Sequence, residues 1–415
     1  MNIEEKFKEI KYAIEQFNEY HNNTIPLCAA ENIISPFCKI PLDGNYQERY
    51  IMGSPSNYII DNNFVGSQYL LTFYNLIDNH CKQLFEANYV DSKTLSGMNC
   101  VSTLLMALTN YGDKILLLEE DAGGHPSVIE ICKRLGLQIK YVPFDYENYT
   151  INYIKLNNLI NNEKPKYICL APSDIIIPYD IEKIDLSDTT LLYDASQILG
   201  LIAGKVIANP LNTHTNNIVL FGGTHKTLPG PTHGLIMTNS KEIFEKLENT
   251  ISPKFIRNTQ MNQIISLLFT LVEFEEYGTK YMNCIVKNAN TLGKLLEYNN
   301  FNVVKINNEY SKTHQLFIKC QKNEMNNIYR NAILTGVTLN KKERKLFGGY
   351  GIRLGIQEIS RYGWDYKDLK IIANVLAILN NDKFNINMVK AQLKLLSKKE
   401  IKFTYSKEIM DYFKP

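Results

Sequence analysis

Apolar residues recur at three- and four-residue spacing from about Phe64 to Leu84, in FVGSQYLLTFYNLIDNHCKQL, and predict a long amphipathic helix. Downstream, short apolar runs alternate with helical patterns: KILLLEE, SVIEICKRLGL, QIKYVPF, the Asn-rich NYTINYIKLNNLINN, KYICLAP, TLLYDAS and NNIVLFG. Strand alternating with helix predicts an α/β domain around a mainly parallel or mixed sheet, with its chemistry at the carboxyl ends of the strands. GLIMTN adds one more strand, and the stretch from about Met261 to Tyr298 predicts a long helix that links this domain to the next. Beyond Asn300, NVVKI and HQLFIKC predict strands, and the segments around Asp368–Leu379 and Asn387–Leu396 predict helices, giving a smaller carboxyl-terminal α+β domain. The expected organisation is an amino-terminal helix and arm over 1–60, a large domain over 61–280 and a small domain over 281–415. A length of 415 residues agrees, being more than one ordinary core supports.

Composition narrows the function by exclusion. With 45% hydrophobic residues, 21% charged residues and a formal net charge of +2, the chain offers no electrostatic footprint for nucleic acid. Its eight cysteines are scattered, with no C-x-x-C pair and no His at zinc-finger spacing, which predicts reduced structural thiols and no metal site. The amino terminus, MNIEEKFKEIKYAIEQFNEY, mixes charged and apolar residues at helical spacing and lacks the apolar run of a secretory signal. No apolar stretch approaches the ~20 residues of a membrane helix, so a cytoplasmic location without membrane contact is expected.

Three short segments carry candidate chemistry. FGGTHKTLPGP places Lys226 just past an apolar strand, behind two glycines that permit a tight bend. LLYDAS ends another buried-looking strand in Asp194, and TLSGMN puts Ser96 and Gly97 ahead of a helical pattern. Each has a bland reading, as a solvated lysine, a helix-capping aspartate and an ordinary turn. Together they meet the needs of pyridoxal 5′-phosphate. The carboxylate keeps the pyridine nitrogen protonated, the lysine amine forms an imine, and exposed amides at a helix start cradle a phosphate.

The motifs add a family resemblance. FGGTHKTLPGPTHG resembles the serine hydroxymethyltransferase motif T-H-K-T-L-x-G-P-x-x-G around the imine lysine, and AAEN, DAGGHPS, LYDASQILGLIAG and GIRLG appear with it in the family's order, from roughly Ile25 to Gly363. The resemblance implies fold type I of the pyridoxal-phosphate enzymes and a homodimer whose sites draw on both chains. It implies Lys226 as the imine lysine, Asp194 as the pyridinium partner, and His125 as the imidazole on the cofactor ring. Ser96 and Gly97 become the phosphate cup, Ser173 the hydroxyl near the phenolic oxygen, and His225 the lysine's neighbour in the motif. Arg353 becomes the fork for the substrate carboxylate, and Tyr50 a site tyrosine lent by the partner subunit, an alignment that rests on Gly53 and Pro55.

Departures from the family cluster on the substrate side. Met52 stands where a proton-handling glutamate is expected, Ala30 replaces a serine, Ile59 a tyrosine, Gln197 the histidine after the pyridinium aspartate, and Met98 a serine of the phosphate cup. Lys342, in the basic stretch KKERKLFGGY, replaces an asparagine that touches the pteridine, and Pro126 a leucine beside the ring histidine. In the altered loop SPKFIRNTQ, Arg257, Asn258 or Thr259 are left to supply the partner's phosphate contacts. The expected activity is Cα–Cβ bond cleavage or formation on a small L-amino acid, of aldolase or transaldolase type, without folate. Decarboxylation, β-elimination or C–S cleavage on the same scaffold, folate-dependent glycine hydroxymethyl transfer, and a non-catalytic cofactor-binding role are the alternatives.

Overall fold

The computed structural model describes residues 3–51, 64–381 and 383–413. A first helix, α1 (Ile3–Asn23), leads to α2 (Gln68–Phe85), and the large domain then runs β1 (Tyr89–Asp91), α3 (Gly97–Leu108), β2 (Lys114–Leu117), α4 (Pro126–Arg134) and β3 (Gln138–Tyr141). It continues through α5 (Tyr153–Glu163), β4 (Tyr167–Leu170), β5 (Thr190–Asp194), α6 (Leu199–Ala203), β6 (Ile218–His225), β7 (Pro229–Thr238) and α7 (Lys241–Thr250). The sheet order is β1-β7-β6-β5-β4-β2-β3. All neighbours are parallel except β7, which runs antiparallel to β1 and β6.

Both faces of this sheet are covered, which is why its strands read as continuous apolar runs. Alternate side chains divide between two cores. Leu116, Ile168, Leu191, Tyr193 and Leu220 face α2 and α6, while Leu117, Cys169, Leu192, Val219 and Phe221 face α3, α4 and α7. The mainly parallel sheet expected from the strand–helix alternation is present.

The long helix α8 (Met261–Tyr298) joins this domain to the next. Side chains of α8 up to Ile285 belong to the large-domain core, and those from Ala289 onward to a separate core. That second core fills the space between α8, α9 (Lys322–Thr335), α10 (Tyr366–Leu379) and an antiparallel sheet. The sheet comprises β8 (Asn302–Val303), β9 (Gln315–Lys319), β10 (Asn340–Arg344) and β11 (Gly349–Gly355), in the order β8-β9-β11-β10. NVVKI forms a ladder only at Asn302–Val303, and the last predicted helix stops at Leu393. After α1 the chain enters the small domain first, pairing Ile25–Pro26 with Val337–Thr338, before it crosses to α8. Helix α1 buries no residue, and Phe7, Ile10, Ile14 and Phe17 stand exposed along one side of it.

One buried ion pair ties these parts together. Glu273 of α8 accepts from Arg361, Ser35 Oγ (2.8 Å) and Thr404 Oγ1 (2.5 Å), so the linking helix, the amino-terminal arm and the carboxyl-terminal segment meet at one carboxylate. Both charged side chains are about 2% exposed. Replacing Glu273 by leucine strands the Arg361 guanidinium, which costs about 3–5 kcal/mol in comparable buried pairs. Denaturant unfolding of Glu273→Leu should show that loss, with most of it recovered in Glu273→Leu/Arg361→Met. A loss below ~1 kcal/mol in the single variant would mean the pair is not structural.

Candidate active site

The site forms where β5 and β6 end. They pair in parallel register with Asp194 opposite Phe221, and Ala195 N donates to Phe221 O (2.7 Å) as the chain leaves β5. Ser196 N then donates to Asp194 Oδ1 (2.8 Å), and Ser196 Oγ accepts from Gly223 N (2.8 Å). Strand β6 continues to His225, which pairs with Pro229 of β7, so Lys226, Thr227 and Leu228 make the turn between the two strands. Thr227 Oγ1 accepts from Gly200 N (3.0 Å) and donates to Gln197 O (3.0 Å). Gly200 permits this contact, since a Cβ there would sit 2.4 Å from the Thr227 carbonyl. The turn bearing the lysine is therefore clamped to the segment that follows Asp194.

Lys226 and Asp194 perturb each other without forming an ion pair. Burial raises the Asp194 carboxyl above its ordinary range against the pull of Lys226, and burial lowers the Lys226 ammonium against the pull of Asp194, with Arg353 lowering it further. Two opposite charges that feel each other across a gap can hold the two ends of a third group. Gln197 sharpens this picture. Gln315 Oε1 accepts from Ile175 N (2.9 Å), so its amide nitrogen donates to Ser173 O (3.1 Å) and to Gln197 Oε1 (2.9 Å). The Gln197 side-chain amide also lies 3.1 Å from Lys226 Nζ, within hydrogen-bonding reach of the lysine nitrogen.

The histidines line the same cleft. His125 caps α4, its Nδ1 accepting from Ser127 N (3.3 Å), and burial, then Lys226, Arg344 and Lys342, lower its pKa against the pull of Asp194. It is therefore a neutral ring that carries its proton on Nε2. His225 is lowered to about 4 by burial and by Lys226, and its buried Nδ1 has no partner among the described residues.

Ser96 and Gly97 open the twelve-residue helix α3 beside Gly223. The backbones pack so closely that a Cβ on Gly97 would lie 2.8 Å from both Gly223 N and Ser196 Oγ. Ser96 Oγ accepts from Asn99 N (3.1 Å), so this hydroxyl caps the helix while its own hydrogen remains to donate. An orphaned histidine nitrogen, a glycine-walled helix start and a buried carboxylate facing a lysine fit the phosphate, ring and aldehyde carbon of pyridoxal phosphate.

Arg353 of β11 reaches this cleft but is not the open fork that the sequence suggests. Its Nε (3.2 Å) and Nη2 (2.7 Å) donate to Asn340 Oδ1, and its Nη1 donates to Ser173 O (2.7 Å) and Asp174 Oδ1 (2.8 Å), which leaves one N–H on Nη2. Ser173 contributes its backbone here, its N donating to Gly123 O (2.8 Å) and its O accepting from Arg353. Asp174, Asn340 and Gln315 were not singled out in the sequence. Asp174 directly follows Ser173 in APSD, but nothing in the apolar pattern marks it as the buried anchor of Arg353.

Two expected residues lie elsewhere in this chain. Tyr50 is exposed and stacks on Phe64, ring centroids 4.3 Å apart, and Asn258 is exposed with a left-handed backbone. Their segments touch, Asn258 N donating to Ile51 O (3.2 Å). Met52, Gly53, Pro55 and Ile59 lie outside the described residues.

Comparison with known proteins agrees with this arrangement. A family model described as serine hydroxymethyltransferase matches residues 3–376. The serine hydroxymethyltransferase of Staphylothermus marinus is 30% identical over 402 residues, covering 92% of this chain and 90% of the relative. That of Picrophilus torridus is 31% identical over 386 residues, covering 89% and 88%. The crystal structure of L-threonine transaldolase from Pseudomonas fluorescens superposes with a TM-score of 0.89 at 21% identity, covering 99% of this chain and 98% of that one, which shows a shared fold. From the motif order, the fold and these matches, the chain belongs to the serine hydroxymethyltransferase family.

Proposed function

We propose that this protein is a pyridoxal-phosphate enzyme that makes or breaks the Cα–Cβ bond of a small β-hydroxy amino acid, exchanging an aldehyde without folate. The observation that carries the reading is Asp194 and Lys226 on adjoining strand ends, each pulled toward neutrality by burial and facing the other without contact. Bound between them, the cofactor would supply a protonated ring that draws electrons from the substrate's α-carbon. Asp194 would hold the ring-nitrogen proton, and Gln197 would hold the lysine nitrogen in place. His125 presents a neutral ring to the cleft, and Ser96 and Gly97 receive the phosphate. The remaining Nη2 hydrogen of Arg353 takes one oxygen of the substrate α-carboxylate.

The absence of a folate requirement rests on Lys342. The family resemblance expects an asparagine against the pteridine at this residue, and here its ammonium is tied to buried Asp174 at 2.8 Å. Met52 cannot titrate in place of the expected glutamate. The second reading, folate-dependent hydroxymethyl transfer, is favoured by the names of the two archaeal relatives.

A homodimer is supported by the surface. Tyr50 and Asn258, both expected to serve the neighbouring site, lie side by side and exposed, and α1 leaves an apolar side uncovered. All eight cysteines are free thiols, which suits the reducing cytoplasm, and among the described residues no helix is long and apolar enough to cross a membrane. The partners of this reading are a small amino acid, an aldehyde and a second copy of the chain.

Serine turnover with and without tetrahydrofolate, beside glycine or threonine with a panel of aldehydes, tests the reading. Aldehyde-dependent formation of β-hydroxy amino acids, indifferent to folate, is expected. Strong folate-dependent serine turnover with none in the aldehyde panel would favour the second reading. Asp194→Asn should retain the cofactor yet lose turnover by about 10²-fold or more, because an amide cannot hold the ring-nitrogen proton. An Asn variant of near wild-type kcat would reduce Asp194 to a cap for Ser196.

A further inference from the structure

Lys342, Arg344 and Arg353 all end on the Asp174 carboxylate. Lys342 Nζ and Arg353 Nη1 each lie 2.8 Å from Asp174 Oδ1, and Arg344 Nη1 lies 2.7 Å from Oδ2. The carboxylate is fully buried, and the three cationic side chains are no more than 12% exposed. Strand β10 produces this grouping through its period of two. Asn340, Lys342 and Arg344 turn inward, while Lys341 and Glu343 between them are exposed. Arg344 Nη1 also donates to Gly124 O (3.4 Å), the residue before His125, and Arg353 Nη1 donates to Ser173 O (2.7 Å), so the cluster borders the cleft that holds His125.

The charges in this recess do not balance. Three cations share one buried anion; Glu120, 3.3 Å from Arg344 Nη2, is 54% exposed and water screens it. Uncompensated charge away from water is costly, and the Lys342 ammonium shows it. Burial, then the two guanidiniums, hold it down to about 8 despite Asp174 beside it. Two further anions would neutralise the cluster. The proposed function supplies one, the α-carboxylate at Arg353.

We propose that the second anion belongs to the substrate: the β-hydroxy amino acid, and the aldehyde it exchanges, carry an acidic oxyanion group on the side chain, bound by Lys342 with Arg344 beside it. This inference rests on the proposed function for the identity of the first anion. The spacing is suitable. Lys342 Nζ and Arg353 Nη1 share one oxygen, so they are separated by no more than twice their 2.8 Å distance to it, and the Nη2 that keeps a free hydrogen is bonded to the same guanidinium carbon as Nη1. One molecule bearing two carboxylates a few bonds apart spans that separation.

Equilibrium binding to the holoenzyme tests the inference without turnover. Calorimetric titration compares L-aspartate with L-asparagine and L-glutamate with L-glutamine, pairs alike in shape and different in charge. At least one acid should bind about tenfold or more tightly than its amide, the worth of one charge-assisted hydrogen bond. Lys342→Gln should bring that ratio close to one, and Lys342→Arg should preserve it. If Lys342→Gln fails to fold, Arg344→Gln provides the second case, with a reduced ratio expected. Ratios near one in the wild type, or an acid preference that survives both glutamine variants, overturn the inference. A parallel assay with glycine offers succinic semialdehyde and butanal. An acid preference in binding with neither aldehyde consumed would count against the aldol reading alone, and consumption of both without preference would count against the anionic substrate alone.

Discussion

The register between β5 and β6 governs the active site. With Asp194 opposite Phe221, the side chain ending β5 turns into the cleft, and β6 runs four residues further before its turn presents Lys226. A slip of one residue would rotate Asp194 to the opposite face and bury it in a hydrophobic core. Two hydrogen bonds from the segment after β5 lock the register, Ser196 Oγ accepting from Gly223 N and Gln197 O accepting from Thr227 Oγ1. The three residues after Asp194 thus fix the carboxylate, the lysine turn and the Gln197 amide beside the lysine nitrogen. Gly97 and Gly223 then bring the start of α3 close enough to complete the cleft.

The large domain was legible because burial on both sheet faces leaves apolar runs that pattern alone detects. The placement of Asp194 and Lys226 at its strand ends was legible because each motif is contiguous in sequence. What escaped is discontinuous. Asp174 meets Arg353 across 179 residues, and Gln315 reaches Gln197 across 118. No local pattern carries such pairings, because they depend on how the small-domain sheet docks against the ends of the large one. The basic stretch KKERK was legible only as composition. Once β10 is a strand, alternation sorts Lys342 and Arg344 from the outward Lys341 and Glu343. Tyr50 and Asn258 are exposed surface in the single chain, and no contact within it marks either as part of a site.

The two parts of the cleft, around Lys226 and Asp194 and around Asp174, obey different electrostatics. Around Lys226 and Asp194, burial presses both groups toward neutrality, which suits an amine that must react and a carboxylate that must keep a proton close by. Around Asp174, burial concentrates positive charge and leaves it short of anions, which suits recognition. Arg353 borders both regions, acting on Lys226 and bonding Asp174, so a carboxylate bound there, as proposed, would lie at their seam.

The central claim is that Lys226, placed by the β6–β7 turn beside Asp194, is the group that holds the cofactor. Borohydride reduction of the purified holoenzyme, followed by peptide mapping, tests it most directly. The account predicts a stable pyridoxyl label on the peptide containing Lys226 and on no other lysine. A label on a different lysine, or a protein that takes up pyridoxal phosphate and yields no labelled peptide, would contradict it.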